Sequence, residues 1–203
     1  TEIYTSLFVG SSDVYKRQDY QRGLRFYGPN NWPAYPESFR CDLAAYYDCQ
    51  IELGRFIYRA FELALELEAG YFTEKYTKPL SRTRVCHYPA QGENFEISHI
   101  GLGAHTDYEC FSTVWQNEVP GLQMLDRDGC WAELPAIPDT FAVNLGDLMQ
   151  KWTNDYFVST AHRVINTTDK ARYSLVQFFG VDYDVLVEGL PGYVTSQNPW
   201  KYK

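Results

Sequence analysis

Between residues 37 and 70 apolar side chains return every three or four positions: Leu43, Tyr47, Ile51, Phe56 and Ile57, Phe61, Ala64 and Leu65, then Leu67, with charged residues between them. This spacing predicts one long amphipathic helix of about eight turns, its apolar stripe serving as packing surface. Residues 72–76 add at most one further turn before Pro79 stops it. From Ser81 the helical period is replaced by short apolar runs separated by turn chemistry. Strands are expected over residues 83–88, 100–105, 111–116, 122–125, 131–134, 140–145, 156–165 and 172–181, which makes a β-sandwich or barrel; eight is the strand count of a jelly roll. Pro120-Gly121, Asp126 to Gly129, Pro138-Asp139 and Asn166 to Asp169 carry the turn residues. If the last of these closes a symmetric hairpin, His162 pairs across it with Arg172, about 5 Å away between backbone α-carbons. Residues 21–36 are dense in Gly, Pro and Asn and read as an irregular connection.

Composition narrows the function classes. With 203 residues and 45% hydrophobic content the chain suits one well-buried domain, of mainly β class with a long N-terminal helix packed on the outside. The formal net charge is −8 and no Lys/Arg run occurs, so an electrostatic grip on nucleic acid is not expected and a small-molecule substrate is. No apolar run reaches the roughly 18 residues of a membrane span, and no signal peptide is visible in a chain that begins at Thr1. Five cysteines, at 41, 49, 86, 110 and 130, form no CxxC pair, which argues against a disulfide framework or zinc ribbon and for reduced thiols in a cytoplasmic, monomeric protein.

The chemistry concentrates in Gly101-Leu-Gly-Ala-His-Thr-Asp-Tyr108, where His105 and Asp107 stand at i and i+2. On a strand both side chains take one face, which makes half a metal site. His162 follows after 54 intervening residues, and a strand-like run starting at Arg172 carries Ser174 two positions on. Two His and one carboxylate that leave coordination positions open form the facial triad of non-haem Fe(II) oxygenases. Arg172 inside an apolar strand, with Ser174, Val176 and Phe178 on its face, is expected to point inward and to need a buried anion. Competing readings stand beside these. Asp107 alone suits a turn, Asp147 a turn or cap, Asn144 a partner for buried backbone, and His87 and His99 are ordinary satisfied polar residues.

The ordered set His-Thr-Asp, His, Arg-Tyr-Ser resembles the Fe(II)/2-oxoglutarate-dependent dioxygenases, in particular the subgroup similar to isopenicillin N synthase. The likeness runs from about Asp19 to Lys203 and is most specific from Val85 to Val181, where Tyr88-Pro89, Gly121-Leu-Gln123, Trp131, Asn144-Leu-Gly-Asp147, Trp152-Thr-Asn154 and His162-Arg-Val164 also match. It implies a double-stranded β-helix, a cupin-like jelly roll, over residues 81–203, with a loop and helical support over 19–80. Residues 1–18 lack a counterpart in that family and read as an adapter or scar, with a short native strand as the alternative. The chain as a whole reads as a fragment with an intact catalytic core.

The resemblance also implies roles. His105, Asp107 and His162 are the catalytic iron ligands, and Fe(II), 2-oxoglutarate and O2 are the cofactor and co-substrates. Arg172, Ser174 and Tyr88 bind 2-oxoglutarate, although the Asn-Tyr of many plant members is replaced here by Cys86-His87. Phe178, Tyr108 and Trp115 are candidates to line the substrate cavity. The implied reaction couples oxidative decarboxylation of 2-oxoglutarate to hydroxylation or desaturation of a small organic substrate. Two alternatives stand: an Fe(II) oxidase without 2-oxoglutarate, of the isopenicillin N synthase or aminocyclopropane carboxylate oxidase type, and a non-catalytic metal-binding jelly roll.

Overall fold

The structure, a computed structural model, describes residues 32–91 and 101–202 together with the backbone of strand β1 (Thr5–Gly10). His99 lies outside the described residues. The chain forms two compact units, one built on Val85–Val176 and Leu186–Lys203, the other on Phe8–Arg84 and Gln177–Val185. Among the described residues no helix is long and apolar enough to cross a membrane.

The second unit carries the long helix α1 (Phe39–Ala64). Its buried stripe is Leu43, Gln50, Gly54, Tyr58 and Glu62, one line of positions at helical spacing. Phe56, expected in the stripe, is 73% exposed. Gly54 is required by close approach, since a Cβ there would run into the Phe179 ring, and the neighbouring Tyr58 hydroxyl donates to the Phe179 carbonyl at 3.1 Å.

Glu62 explains why the helix ends at Ala64 rather than at the predicted Gly70. Its carboxylate accepts from the backbone N–H of Gly70 (3.0 Å), Phe72 (2.9 Å) and Thr73 (3.2 Å) and from Arg59 Nη1 (2.8 Å). The chain therefore folds back over the last turn, with Glu66 at φ 55°, and continues into the 3-10 turn Thr73–Lys75. A carboxylate so held does the work of a capping box in reverse, satisfying donors of the following segment.

The remaining elements are strands β2 (Ser81–Tyr88), β3 (Leu102–His105), β4 (Phe111–Gln116), β5 (Leu122–Leu125), β6 (Trp131–Glu133), β7 (Ala142–Leu145), β8 (His162–Val164) and β9 (Arg172–Phe179), with a short helix α2 (Asp147–Trp152) between β7 and β8. They form two sheets, ordered β1-β2-β9-β4-β7 and β3-β8-β5-β6. Between the sheets lies a core of Cys86, Tyr88, Val114, Leu122 and Val164, with Leu102, Leu134, Ala142 and Val176 against it. Each sheet supplies residues to that core from alternate positions, as a double-stranded β-helix requires. The eight expected strands are all present, and the backbone of Thr5–Gly10 is a ninth at the sheet edge beside β2.

Two expectations are corrected. The strand expected over 156–165 is only His162–Val164, because Asn154 (φ 49°) and Asp155 (φ 70°) take left-handed conformations and the chain reaches β8 as a loop. His162 and Arg172 do not pair across a hairpin, since β8 and β9 belong to different sheets. The link between them is pinned by Asn166, whose Nδ2 donates to the carbonyls of Pro89 (2.8 Å) and Lys170 (2.9 Å), so the chain crosses from one sheet to the other instead of turning back on itself.

Burial raises the Glu62 pKa, but its hydrogen bonds to Arg59, Gly70, Phe72 and Thr73 outweigh burial and hold it below the ordinary carboxylate range. Its stabilisation is therefore complete above about pH 4.3, the ordinary value for Glu, and is lost as pH falls through the lower folded value. Thermal melting followed from neutral to acid pH should show Glu62→Gln less stable at pH 7 and with a shallower acid limb than the parent; parallel limbs would remove this role from Glu62.

Candidate metal centre

His105 ends β3 and His162 opens β8, and the two are directly paired across the β3–β8 ladder. Asp107 lies two residues past the end of β3, beyond the regular strand. One ligand atom from each of the three lies within 4.8 Å of the others. Asp107 Oδ1 is 3.7 Å from His105 Nε2 and 3.6 Å from His162 Nε2, so these three atoms face a common point.

The opposite side of each ligand is tied down. His105 Nδ1 lies 2.8 Å from the Gly103 carbonyl and His162 Nδ1 3.1 Å from the Thr160 carbonyl. A carbonyl only accepts, so His105 Nδ1 carries the proton, and the shorter contact of His162 Nδ1 to the Thr160 carbonyl favours the same tautomer over acceptance from Asn144 Nδ2 at 3.4 Å; both Nε2 lone pairs are then available to a metal. Asp107, 5% exposed, receives Ser112 Oγ (2.6 Å) and Asn144 Nδ2 (3.0 Å) on Oδ2 alone. Burial holds the His162 pKa below its ordinary value, against the pull of Asp107 and the Thr160 carbonyl. The imidazole is thereby kept neutral, as a ligand must be.

The loop that carries Asp107 is fixed by the start of α2. Asp147 N–H donates to the Asp107 carbonyl (2.8 Å), Leu148 N–H to that of Tyr108 (3.2 Å) and Gly146 N–H to that of Cys110 (2.9 Å). At Gly146 a Cβ would collide with the Glu109 carbonyl, which accounts for glycine in Asn144-Leu-Gly-Asp147. Asp147, predicted as a turn or cap residue, is the acidic first-turn residue of α2 and accepts from Thr106 Oγ1 at 3.3 Å.

In the same unit Arg172 is fully buried, 0% exposed, with Ser174 at 2% and the intervening Tyr173 at 47%. By this alternation Arg172 and Ser174 share the inner face of β9. Arg172 Nη2 donates to Gln116 Oε1 at 2.8 Å, while Nε and Nη1 have no hydrogen-bond partner among the described residues. The guanidinium carbon lies 5.0 Å from the centroid of the Tyr88 ring. Burial pushes the Tyr88 phenol up to about 12, with Arg172 and Ser174 pulling the other way, so it is a neutral donor. Burial likewise lowers the Arg172 pKa. A buried cation with two donor atoms unmet among the described residues calls for an anion.

The model of the 2OG-Fe(II) oxygenase superfamily matches residues 79–181, just over half of the chain. The chain belongs to the 2OG-Fe(II) oxygenase superfamily. It is 34% identical over 206 aligned residues to the 2-oxoglutarate-Fe(II) type oxidoreductase hxnY of Emericella nidulans, spanning 99% of this chain and 59% of that protein. It is also 34% identical over 177 residues to homoarginine-6-hydroxylase 2-ODD-C23 of Glycine max, spanning 84% of this chain and 54% of that one. A full-length Neurospora crassa protein, solved in complex with alpha-KG and thymine, superposes with a TM-score of 0.86 at 27% identity, covering 100% of this chain and 61% of the Neurospora one. The chain thus spans between 54% and 61% of the length of these three relatives. Fe(II) and 2-oxoglutarate are the cofactor and co-substrate of the superfamily, and both fit the residues present: three ligand atoms converge, and a buried guanidinium has donors to spare.

Of the residues expected to line a substrate cavity, Tyr108 is 76% exposed beside Asp107. Trp115 lines an open groove of about 420 Å³ with Gln116, Val119, Ile137 and Pro138 that includes none of the triad. Phe178 is buried in the other unit beneath the Arg82 guanidinium, 5.0 Å from the ring centroid. His87 stacks on Tyr173 at 4.8 Å, as an ordinary polar residue does.

Sequence reading misses Ser112 and Gln116 and gives Asn144 only backbone to satisfy. The available signal is polar residues on the inward positions of an apolar strand, each of which needs a specific partner.

His105→Ala, Asp107→Ala and His162→Ala should each weaken Fe(II) binding by more than about 100-fold in equilibrium dialysis, beyond the 10- to 100-fold typical of outer-shell losses, with the circular dichroism spectrum unchanged. Retention of near-parental affinity in any of them removes that residue from the ligand set.

Proposed function

We propose that this chain carries the catalytic core of an oxygenase that couples oxidative decarboxylation of 2-oxoglutarate to hydroxylation, or desaturation, of a small organic molecule. The observation that carries this reading is the buried Arg172 with two unpartnered donors in the unit that also holds the triad. Relatives named for 2-oxoglutarate and Fe(II), and a structural neighbour holding alpha-KG and thymine, support it. They favour 2-oxoglutarate over the oxidase alternative, and a nucleobase-sized or amino-acid-sized substrate over a macromolecule.

Each residue has a part. His105 Nε2, His162 Nε2 and Asp107 Oδ1 hold Fe(II) on one side, leaving the remaining positions to co-substrate and O2. Arg172 receives the far carboxylate of 2-oxoglutarate, with the Ser174 hydroxyl and the Tyr88 phenol as additional donors. Bound together, Fe(II), 2-oxoglutarate and O2 would supply a two-electron oxidation in which the keto acid becomes succinate and CO2 with one oxygen atom, while the other enters the substrate as a hydroxyl or, in a desaturation, leaves as water with two substrate hydrogens. Tyr108, exposed beside Asp107, is the side chain proposed to meet the substrate.

Lysine keeps the charge of Arg172 but lacks its planar fork. In an anaerobic titration, followed by the visible absorption that develops when a keto acid chelates Fe(II), Arg172→Lys should raise the 2-oxoglutarate requirement steeply with iron affinity nearly unchanged. Ser174→Ala should raise it by about 1 kcal/mol, the worth of one hydrogen bond. Absence of that absorption in the parent, with no 2-oxoglutarate-dependent succinate over a screen of amino acids, nucleobases and small phenolic or terpenoid acids, would reject the co-substrate and favour the oxidase.

A further inference from the structure

We infer that one face of strand β4 positions both ends of the site: Ser112, with Asn144 opposite it, aims the metal-binding carboxylate, and Gln116 aims the anchor guanidinium. The inference rests on the function proposed above.

Ser112, Val114 and Gln116 occupy alternate positions of β4 and so share one face. Ser112 is 0% exposed and sits directly opposite Asn144 in the β4–β7 ladder. Both donate to the same atom, Asp107 Oδ2, at 2.6 and 3.0 Å. With Oδ2 so occupied, Oδ1 is the oxygen left for a metal, and the carboxylate is held to one tooth. The orientation of the Asn144 amide follows from this contact, because its carbonyl facing Asp107 would set two acceptors together. Its Oδ1 is then a buried acceptor with no hydrogen-bond partner among the described residues.

Four residues along the same face, Gln116 is held in a similar way. Its Nε2 donates to the Pro135 carbonyl at 3.4 Å, and its Oε1 accepts from Arg172 Nη2 at 2.8 Å. That bond ties down Nη2 and leaves Nε and Nη1 without a hydrogen-bond partner among the described residues. Val114 between them belongs to the core, so the spacing of the two polar positions is fixed by packing on both sides. Neither Ser112 nor Gln116 has to touch iron or 2-oxoglutarate; both are positioning residues.

The test uses the full chain, with Fe(II) and 2-oxoglutarate as probes under anaerobic conditions, and two variants of similar or smaller size. Ser112→Ala should weaken Fe(II) binding by about 10-fold or more and, in the Co(II)-loaded form, shift the visible ligand-field bands, while 2-oxoglutarate affinity at saturating metal stays within about twofold. Gln116→Met should show the reverse: metal affinity and Co(II) bands unchanged, 2-oxoglutarate affinity lowered several-fold. Equal losses of both ligands in both variants, or no loss of either with only a lower melting temperature, would overturn the inference. A parent that binds neither probe would instead overturn the function on which it rests.

Discussion

Asp107 is a carboxylate buried in the inter-sheet space, and most of the site can be understood as what is needed to keep it there. A buried acid is costly unless its lone pairs are met. Ser112 and Asn144 meet one oxygen, and two imidazole nitrogens face the other at 3.6 and 3.7 Å. The elements that deliver these partners are the end of β3, the start of β8 and the facing pair on β4 and β7, so the two sheets are tied to one point. Helix α2 completes the arrangement, because the N–H groups at its start donate to the Asp107, Tyr108 and Cys110 carbonyls. A metal ion placed against Oδ1 and the two Nε2 atoms would supply positive charge beside the buried carboxylate.

The anchor obeys the same rule with the opposite sign. Arg172 is a fully buried cation whose protein partner is a neutral amide, Gln116, and whose remaining donors are unused. Glu62, in the other unit, is a buried charge met by the backbone N–H groups of Gly70, Phe72 and Thr73, by Arg59 and by the Thr73 hydroxyl. Arg172 differs in that two of its nitrogen atoms have no hydrogen-bond partner among the described residues.

Much of this is legible in the sequence, for reasons that differ residue by residue. The strands of 81–181 declare themselves through short apolar runs and turn residues, and the triad through an i, i+2 pair followed by a distant histidine. Arg172 is legible because a charge inside an apolar strand has few innocent explanations. What local pattern cannot reveal is which strands pair. The Asn166 link looks like a hairpin because its turn residues suit one, whereas its bonds to the Tyr88, Pro89 and Lys170 carbonyls make it a crossover between sheets. The end of the long helix is hidden for the same reason, since it depends on Glu62 meeting backbone up to eleven residues away. The role of Asn144 turns on which face of its strand looks inward, and its pairing with Ser112 puts it opposite a residue that bonds Asp107.

The most direct test is iron X-ray absorption on the anaerobic Fe(II)-loaded chain before and after addition of 2-oxoglutarate. The expected spectra show a nearest shell of nitrogen and oxygen only, with the multiple scattering of two imidazoles in both states, and a change confined to light-atom neighbours when the keto acid binds. A sulfur shell, or scattering from a single imidazole, would contradict the assignment of His105, Asp107 and His162 as the protein ligands.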